Sequence, residues 1–272
     1  MAVDDSVRRH FVDELRALGG LAGLPDTERV LQAFATVPRE LFVGPGPWTV
    51  VTPLHGMTSA RTPDADPRHL YHAVLVALDE EAGINIGAPT LWARLLARFA
   101  VPQGGRLLQV GAGSGYYTAI LAELVGSDGS VVAYETEDEL IEMAANGLRD
   151  RPNVELRHDN AAGLAPGDPF DAIVAFAGVT RPPRVWCDAL ASNGRMLLPL
   201  TGGQGWGAMG LFERRGDGFS IATLGPVGFY PCHGARDPVS EHALDTVLAD
   251  RSRTEGFTFV GRWVGERFEY EA

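Results

Sequence analysis

The chain has 272 residues, of which 45% are hydrophobic, and carries a net charge of −12 with a pI near 5.0. This length and apolar content predict a folded protein with a full hydrophobic core and exclude a disordered chain, while the acidic charge, without any lysine or arginine run, argues against a nucleic-acid partner. Two cysteines without C-x-x-C spacing, histidines without ligand spacing, and no leader-like or long apolar segment predict a cytoplasmic protein without a metal site or a membrane partner.

The N-terminal part is predicted to be mostly helical. Apolar residues recur at helical spacing over 5–18 and again over 27–35, which predicts two amphipathic helices. The stretch 52–67 is rich in Pro, Ser, Thr and Asp and is predicted to be a surface loop that closes over a ligand. Residues 1–80 are therefore assigned to N-terminal helices and a substrate-side loop, and a third helix is predicted over 89–99.

A strand, a glycine turn, a helix and a second strand follow. The apolar run 107–110 is typical of a central parallel strand, and the run 131–135 forms the next strand and ends in an acid. Between them, Gly111, Gly113 and Gly115 supply positions without a β-carbon, where a backbone turns sharply and approaches a ligand. This turn lies at the carboxyl end of a strand, where open α/β sheets bind ligands.

The details of this unit indicate S-adenosylmethionine (SAM) and methyl transfer. A dinucleotide fold needs G-x-G-x-x-G, whose third glycine would fall on Tyr116, but the spacing here is G-x-G-x-G. Glu135 follows Gly111 at the end of the next strand, where a carboxylate accepts hydrogen bonds from both ribose hydroxyls. Asp159 follows a strand predicted over 153–157 and is placed to accept a hydrogen bond from an adenine amino group.

The remaining elements extend the sheet. Alternation of strands and helices continues through strands at 169–176 and 195–200, which predicts right-handed parallel βαβ units. Residues 81–200 are assigned to the SAM-binding core. Residues 201–272 are assigned to C-terminal strands and a helix that complete or extend the sheet.

Four segments together resemble the protein-L-isoaspartate O-methyltransferase family. They are Val37-Pro-Arg-Glu-Leu-Phe-Val43, Leu108-Gln-Val-Gly-Ala-Gly-Ser-Gly-Tyr116, Phe170-Asp-Ala-Ile173 and Gly194-Arg-Met-Leu-Leu-Pro199. The resemblance implies an α/β class I SAM-dependent methyltransferase fold: a Rossmann-like, mostly parallel seven-stranded sheet with N-terminal helices and, here, a C-terminal β/α extension. It also implies SAM as donor and an isoaspartyl or aspartyl carboxylate of a protein or peptide as acceptor.

The resemblance, together with the motif reading, also assigns candidate site residues. The predicted SAM-binding residues are Gln109, Gly111, Ala112, Gly113, Ser114, Gly115, Tyr117, Glu135, Asp159 and Asn160. The predicted acceptor residues are Asn85, which positions the acceptor, and His55, Ile86, Gly87 and Pro89.

Three of these positions depart from the family pattern. Asn85 stands where the family has a threonine and Gly87 where it has a serine, so hydroxyls of the acceptor segment are replaced by an amide and a backbone N–H. Gln109 stands where the family commonly has an acid, so a contact to the methionine amino group lacks charge assistance. No general base is expected, because a carboxylate acceptor is already ionised at neutral pH.

Other functions remain open at this point. A small-molecule O- or N-methyltransferase of secondary metabolism on the same fold would use His55 or His233 as a base. A nicotinamide-dependent enzyme is disfavoured by the glycine spacing, and a binding module without turnover is compatible with Gly87. The sequence does not indicate an oligomeric state.

Overall fold

The computed structural model describes residues 3–52, 58–165, 167–249 and 256–271, and the chain divides into two compact units. The helical unit comprises Met1–Gln103, Ala112–Ser127 and Glu137–Leu156, and the sheet unit comprises Gly104–Gly111, Asp128–Thr136 and Arg157–Ala272. The α-helices are α1 Asp5–Leu18, α2 Thr27–Thr36, α3 Pro89–Phe99, α4 Tyr116–Val125, α5 Asp138–Gly147, α6 Arg184–Ala189 and α7 Pro238–Leu248. The strands are β1 Thr49–Thr52, β2 Thr58–Arg61, β3 Leu75–Asp79, β4 Ile84–Asn85, β5 Arg106–Val110, β6 Ser130–Glu135, β7 Val154–His158, β8 Phe170–Ala175, β9 Leu190–Thr201, β10 Trp206–Arg215, β11 Gly218–Gly228, β12 Thr258–Val264 and β13 Arg267–Glu271.

Aromatic side chains hold the helices of the helical unit together. The side-chain carboxylate of Asp4 accepts a hydrogen bond from the Ser6 backbone N–H and caps α1, whose apolar face buries Phe11. The Phe11 ring meets Phe34 of α2 edge to face at 6.3 Å between centroids, and Phe34 meets Tyr116 of α4 at the same distance. The helices predicted at 5–18, 27–35 and 89–99 are confirmed, because each carries a clear apolar stripe.

A buried arginine side chain stabilises the segment that leads into β3. The Arg39 guanidinium donates to the carbonyl oxygens of Leu70, His72 and Val74, and it lies 5.5 Å from the centre of the Tyr116 ring. Backbone carbonyls and an aromatic face thus replace the water that this cation loses on burial. The arginine of the Val37–Phe42 segment is therefore structural.

A small antiparallel sheet precedes α3, with the strand order β2-β1-β3-β4. The prediction of a surface loop over 52–67 is wrong for Thr58–Arg61, because this exposed strand pairs with Thr49–Thr52. All four residues of that strand face solvent, so its composition resembles a loop. Beyond β4, the Ile86 N–H donates to the Val76 carbonyl at 3.0 Å and fixes the start of the predicted acceptor segment.

The sheet unit is built on a mixed sheet with the order β13-β12-β11-β10-β9-β8-β5-β6-β7, nine strands within the described ranges. Strand β5 runs parallel to both β6 and β8, β8 runs parallel to β9, and the pairs from β9 outward to β13 are antiparallel. The α/β prediction is confirmed. The prediction is a mostly parallel seven-stranded sheet with a C-terminal extension; the sheet has nine strands in the described ranges, and its C-terminal half is antiparallel because consecutive hairpins continue it to β13.

Candidate functional site

Within the sheet unit, Glu135, the residue predicted to bind the ribose, lies at the carboxyl end of β6. Glu135 is only 7% exposed, and one of its carboxylate oxygens accepts a hydrogen bond from the Thr136 N–H at 2.8 Å. The Glu135 carbonyl accepts from the Asp159 N–H at 3.1 Å, so the structure brings these two predicted residues together. A buried carboxylate at this edge of a parallel sheet is suited to hold paired hydroxyl groups.

The loop after β7 is fixed by its own side chains. Asp159 is exposed, and its Oδ1 accepts from the Asn160 N–H at 2.7 Å. The Asn160 Oδ1 accepts from the Ala162 N–H at 2.8 Å and thereby caps the short 3-10 helix Ala161–Gly163. Asn160 therefore has a structural role besides any contact with a ligand.

A buried acceptor atom is left unpaired at the end of β5. Gln109 is fully buried, and its Nε2 donates to the Gly111 carbonyl at 3.4 Å. Its Oε1 has no hydrogen-bond partner within the part of the chain that the structure describes. Because buried polar atoms are nearly always paired, this oxygen is suited to a ligand donor such as an ammonium group.

The chain enters the helical unit at Ala112 and turns into α4. The Gly115 N–H donates to the Ala112 carbonyl at 3.0 Å, which closes the turn. A β-carbon at Gly113 would meet no atom within 4 Å, whereas one at Gly115 would lie 3.0 Å from Leu148 and 3.1 Å from the Ala144 backbone. The open position is thus accessible to a ligand, and the crowded position permits α4 and α5 to pack closely.

Two side chains beside this turn carry hydroxyl groups that differ in whether they are hydrogen-bonded. The buried Ser114 hydroxyl lacks a hydrogen-bond partner among the described residues. The Tyr117 hydroxyl donates to the Gly87 carbonyl at 3.5 Å, which links α4 to the predicted acceptor segment. Burial raises the pKa of Tyr117 well above its ordinary value, so this hydroxyl stays protonated at neutral pH and is not a base.

The side chain of the predicted acceptor residue Asn85 makes hydrogen bonds within its own loop. Its Oδ1 accepts from the Gly87 N–H at 2.8 Å, and its Nδ2 donates to the Gly83 carbonyl at 3.3 Å. The Gly87 N–H is therefore occupied by an intramolecular bond. Ile86 is buried and Pro89 is the first residue of α3, so the segment packs within the helical unit. His55 lies outside the described residues.

Each unit offers groups of the kind that SAM requires. The sheet unit holds the buried Glu135 carboxylate and the unpaired Gln109 oxygen, and the helical unit holds the open glycine at 113 and the unpaired Ser114 hydroxyl. The two sheet-unit residues fit a ligand with ribose hydroxyls and an amino group. Across the described ranges, no group of three or more His, Cys, Asp or Glu side chains is arranged to hold a metal, and no helix is long and apolar enough to cross a bilayer.

One segment beside the predicted donor residues was not anticipated from the sequence. Residues 230–236, here called the strap, run along the chain that follows β8, and the Gly178 N–H donates to the Tyr230 carbonyl at 2.6 Å. Strand and helix patterns did not detect it because it is neither. The clustering of Pro231, Gly234 and Pro238 between a strand and a helix is the signal that marks a shaped loop here.

Comparison with known proteins points to one family. The model of the protein-L-isoaspartate(D-aspartate) O-methyltransferase family matches residues 65–237, more than half of the chain. A protein-L-isoaspartate O-methyltransferase of Ignicoccus hospitalis is 32% identical over 209 residues, which cover 75% of this chain and 88% of the relative. One of Chromobacterium violaceum is 32% identical over 238 residues, which cover 86% of this chain and 93% of the relative.

Solved structures show the same fold. A structure named protein-L-isoaspartate O-methyltransferase superposes with a TM-score of 0.70 at 19% identity, covering 97% of this chain and 87% of its own. A Plasmodium falciparum structure described as a protein of that name, in complex with S-adenosyl-L-homocysteine, gives a TM-score of 0.62 at 20% identity, with coverages of 84% and 98%. The predicted methyltransferase fold is thereby confirmed.

Proposed function

The chain belongs to the protein-L-isoaspartate O-methyltransferase family, and from that premise we propose that it methylates the carboxylate of an isoaspartyl residue in a protein or peptide. SAM is the donor. The observation that carries the proposal is the buried side-chain carboxylate of Glu135 at the carboxyl edge of a parallel sheet. The backbone carbonyl of the same residue accepts a hydrogen bond from the Asp159 N–H. An acceptor of low molecular mass is not favoured, since the relatives are named for protein isoaspartate.

The donor is assigned to the residues predicted from the sequence. In the sheet unit, Glu135 holds the ribose hydroxyls, Asp159 and Asn160 the adenine end, and Gln109 the amino group. In the helical unit, the turn through Ala112, Gly113, Ser114 and Gly115, with Tyr117 behind it, supports the donor through its backbone. The cytoplasmic location also stays a prediction.

The acceptor is assigned to the segment after β4. Asn85 is a positioning residue, because its amide fixes the Gly87 backbone through the 2.8 Å bond. Ile86, Gly87 and Pro89 line the acceptor, and His55 stays a prediction.

The chemistry requires no proton transfer before methylation. When bound, SAM supplies an electrophilic methyl group on a sulfonium. An acceptor carboxylate with a pKa of about 4 is already ionised at neutral pH, so the protein removes no proton from it. The residues named above bind, orient and exclude water, and alignment of two reacting groups lowers a barrier by roughly 7–11 kcal/mol when it is good.

The test is transfer of labelled methyl from SAM to matched isoaspartyl and aspartyl peptides, scored as base-labile methanol. We expect label on the isoaspartyl peptide and at most traces on the aspartyl one. Equal labelling of both would contradict the isoaspartyl assignment. No labelling by protein that binds S-adenosylhomocysteine would show that the acceptor is another compound.

A further inference from the structure

Backbone hydrogen bonds hold the strap against the segment that follows the carboxyl end of β8. The Cys232 N–H donates to the Gly178 carbonyl at 2.8 Å, and the Thr180 N–H donates to the Ala235 carbonyl at 3.1 Å. Together with the bond from Gly178 to the Tyr230 carbonyl, these contacts tie the strap at three points. The strap is therefore a fixed part of the sheet unit.

Arg236 holds the end of the strap. Its guanidinium donates to the Gly178 and Gly202 carbonyls at 3.2 and 2.9 Å, and to the Thr201 hydroxyl at 2.9 Å. It also pairs with Glu241 of α7 at 2.7 Å. One cation thus joins the segments that follow β8 and β9 to the first turn of α7.

The strap approaches the proposed donor residues at Gly234. Gly234 has a φ of +82°, and a β-carbon there would lie 2.6 Å from the Ala162 Cβ and 3.5 Å from the Asn160 Nδ2. Burial raises the pKa of the neighbouring Cys232 thiol to about 12, with the positive charge of Arg236 lowering this pKa and the negative charge of Glu135 raising it, so the thiol stays protonated at neutral pH.

We propose that the strap forms a wall of the donor site beside the adenine end of SAM, and that Gly234 is a positioning residue that keeps Asn160 and the 3-10 helix Ala161–Gly163 in place. This inference rests on the proposed function, because it takes Asn160 and Glu135 as donor ligands. The physical reason is the close approach at Gly234. A side chain there pushes the strap away from the loop that carries Asn160.

The test is the variant Gly234→Ala, with S-adenosylhomocysteine binding measured by calorimetry. We expect affinity to fall at least about tenfold, because the new methyl group overlaps Ala162 and shifts Asn160. The matched control is Gly216→Ala, which has a φ of +59° in the same unit and no atom within 4 Å of a β-carbon. Its affinity should stay within about twofold of the unmodified protein, since it shares the backbone strain without the overlap.

A second change separates positioning from loss of structure. In Gly234→Ala combined with Ala162→Gly, the closest atom is removed and the next contacts are at 3.5 and 3.6 Å, so affinity should recover to within about threefold. Circular dichroism melts of all variants accompany the binding data. If Gly234→Ala does not fold, Arg236→Gln loosens the same C-terminal end of the strap without an overlap and is expected to weaken binding similarly.

The outcomes distinguish this inference from the proposed function. Unchanged affinity in folded Gly234→Ala, with strong loss in Glu135→Ala, overturns the strap as a wall and leaves the donor site standing. Unchanged affinity in Glu135→Ala overturns the donor assignment itself, and the inference with it. Loss in Gly234→Ala that the second change reverses supports both.

Discussion

Asn85 shapes the proposed acceptor segment through its own hydrogen bonds. Its carbonyl oxygen accepts from the Gly87 N–H and its amino group donates to Gly83, so the amide shapes the loop that is proposed to receive the substrate. Replacing the side chain therefore changes the backbone of the acceptor segment.

We predict that Asn85→Ala lowers turnover of the isoaspartyl peptide about tenfold and leaves S-adenosylhomocysteine affinity within about twofold, since alignment alone is lost. Asn85→Asp keeps the oxygen that accepts from Gly87 and is the matched variant. If it retains turnover, Asn85 acts through the loop. Steeper loss than in Asn85→Ala indicates direct contact with the acceptor carboxylate. Equal loss of binding and turnover in Asn85→Ala contradicts the assignment.

Glu135 is the second residue with a defined expectation. Glu135→Ala removes a charge-assisted acceptor for two hydroxyls, so we predict a loss of S-adenosylhomocysteine affinity of at least about tenfold in calorimetry. Glu269→Ala on the exposed face of β13 changes the net charge equally and should leave affinity unchanged. Comparable affinities in the two variants would defeat the ribose assignment.

At the scale of elements, the turn between β5 and α4 assigns different tasks to neighbouring glycines. Gly115 has a φ of +92° and lies against the Ala144 backbone, whereas Gly113 has a φ of +56° and faces open space. One glycine permits helix packing and the other leaves room for a ligand.

We predict that Gly115→Ala destabilises the fold by about 1–3 kcal/mol through backbone strain and overlap with α5. A β-carbon at position 113 overlaps no atom, so Gly113→Ala should lower the stability of the fold by only about 1 kcal/mol, the cost of the left-handed backbone. Its main effect should instead be a lower affinity for S-adenosylhomocysteine. Thermal melts and calorimetry on both variants check this division. A larger fall in the melting temperature for Gly113→Ala would reverse the assignment.

The start of α7 gives a prediction about pH. Burial raises the pKa of Asp237, but hydrogen bonds from Ser240 and the ion pair with Arg181 outweigh it and hold the pKa below its ordinary 3.8. A depressed pKa contributes stability above pH 3.8 that is lost as the pH falls through the lower, folded value. We expect Asp237→Ala to cost about 1 kcal/mol at pH 7 and progressively less below pH 4, as measured by melts across that range. A gap that persists at pH 2 would contradict this.

The elements differ in how well the sequence predicts them, and the reason is patterning. Helix α1 has an apolar stripe on one side and strand β5 is mostly apolar, so the pattern of the sequence predicts the positions of both. Strand β2 is exposed throughout, and its pairing with β1 has no periodic signal. The proposed donor residues are predicted from the glycine turn and the acid that ends β6, whereas the position of the strap depends on long-range contacts such as that of Gly234 with Ala162.

At the scale of the whole molecule, the net charge of −12 favours basic acceptors. We predict that an isoaspartyl peptide flanked by lysines has a KM several-fold lower than one flanked by glutamates at about 20 mM salt, because an acidic surface attracts cations. The ratio should approach one at about 1 M salt, where the screening length is only about 3 Å. Steady-state kinetics of both peptides at the two salt concentrations checks this, and a ratio insensitive to salt would contradict it.

The way the chain alternates between the helical unit and the sheet unit has a consequence for engineering. The chain changes unit after residues 103, 111, 127, 136 and 156, so neither unit is a continuous piece of sequence. A fragment ending at residue 156 carries β5 and β6 without β8, the parallel neighbour of β5. Cut sites for gene fragments, domain exchange or split reporters should therefore lie in the antiparallel C-terminal part, such as the β10–β11 hairpin at Gly216. They should not lie where the chain passes from one unit to the other.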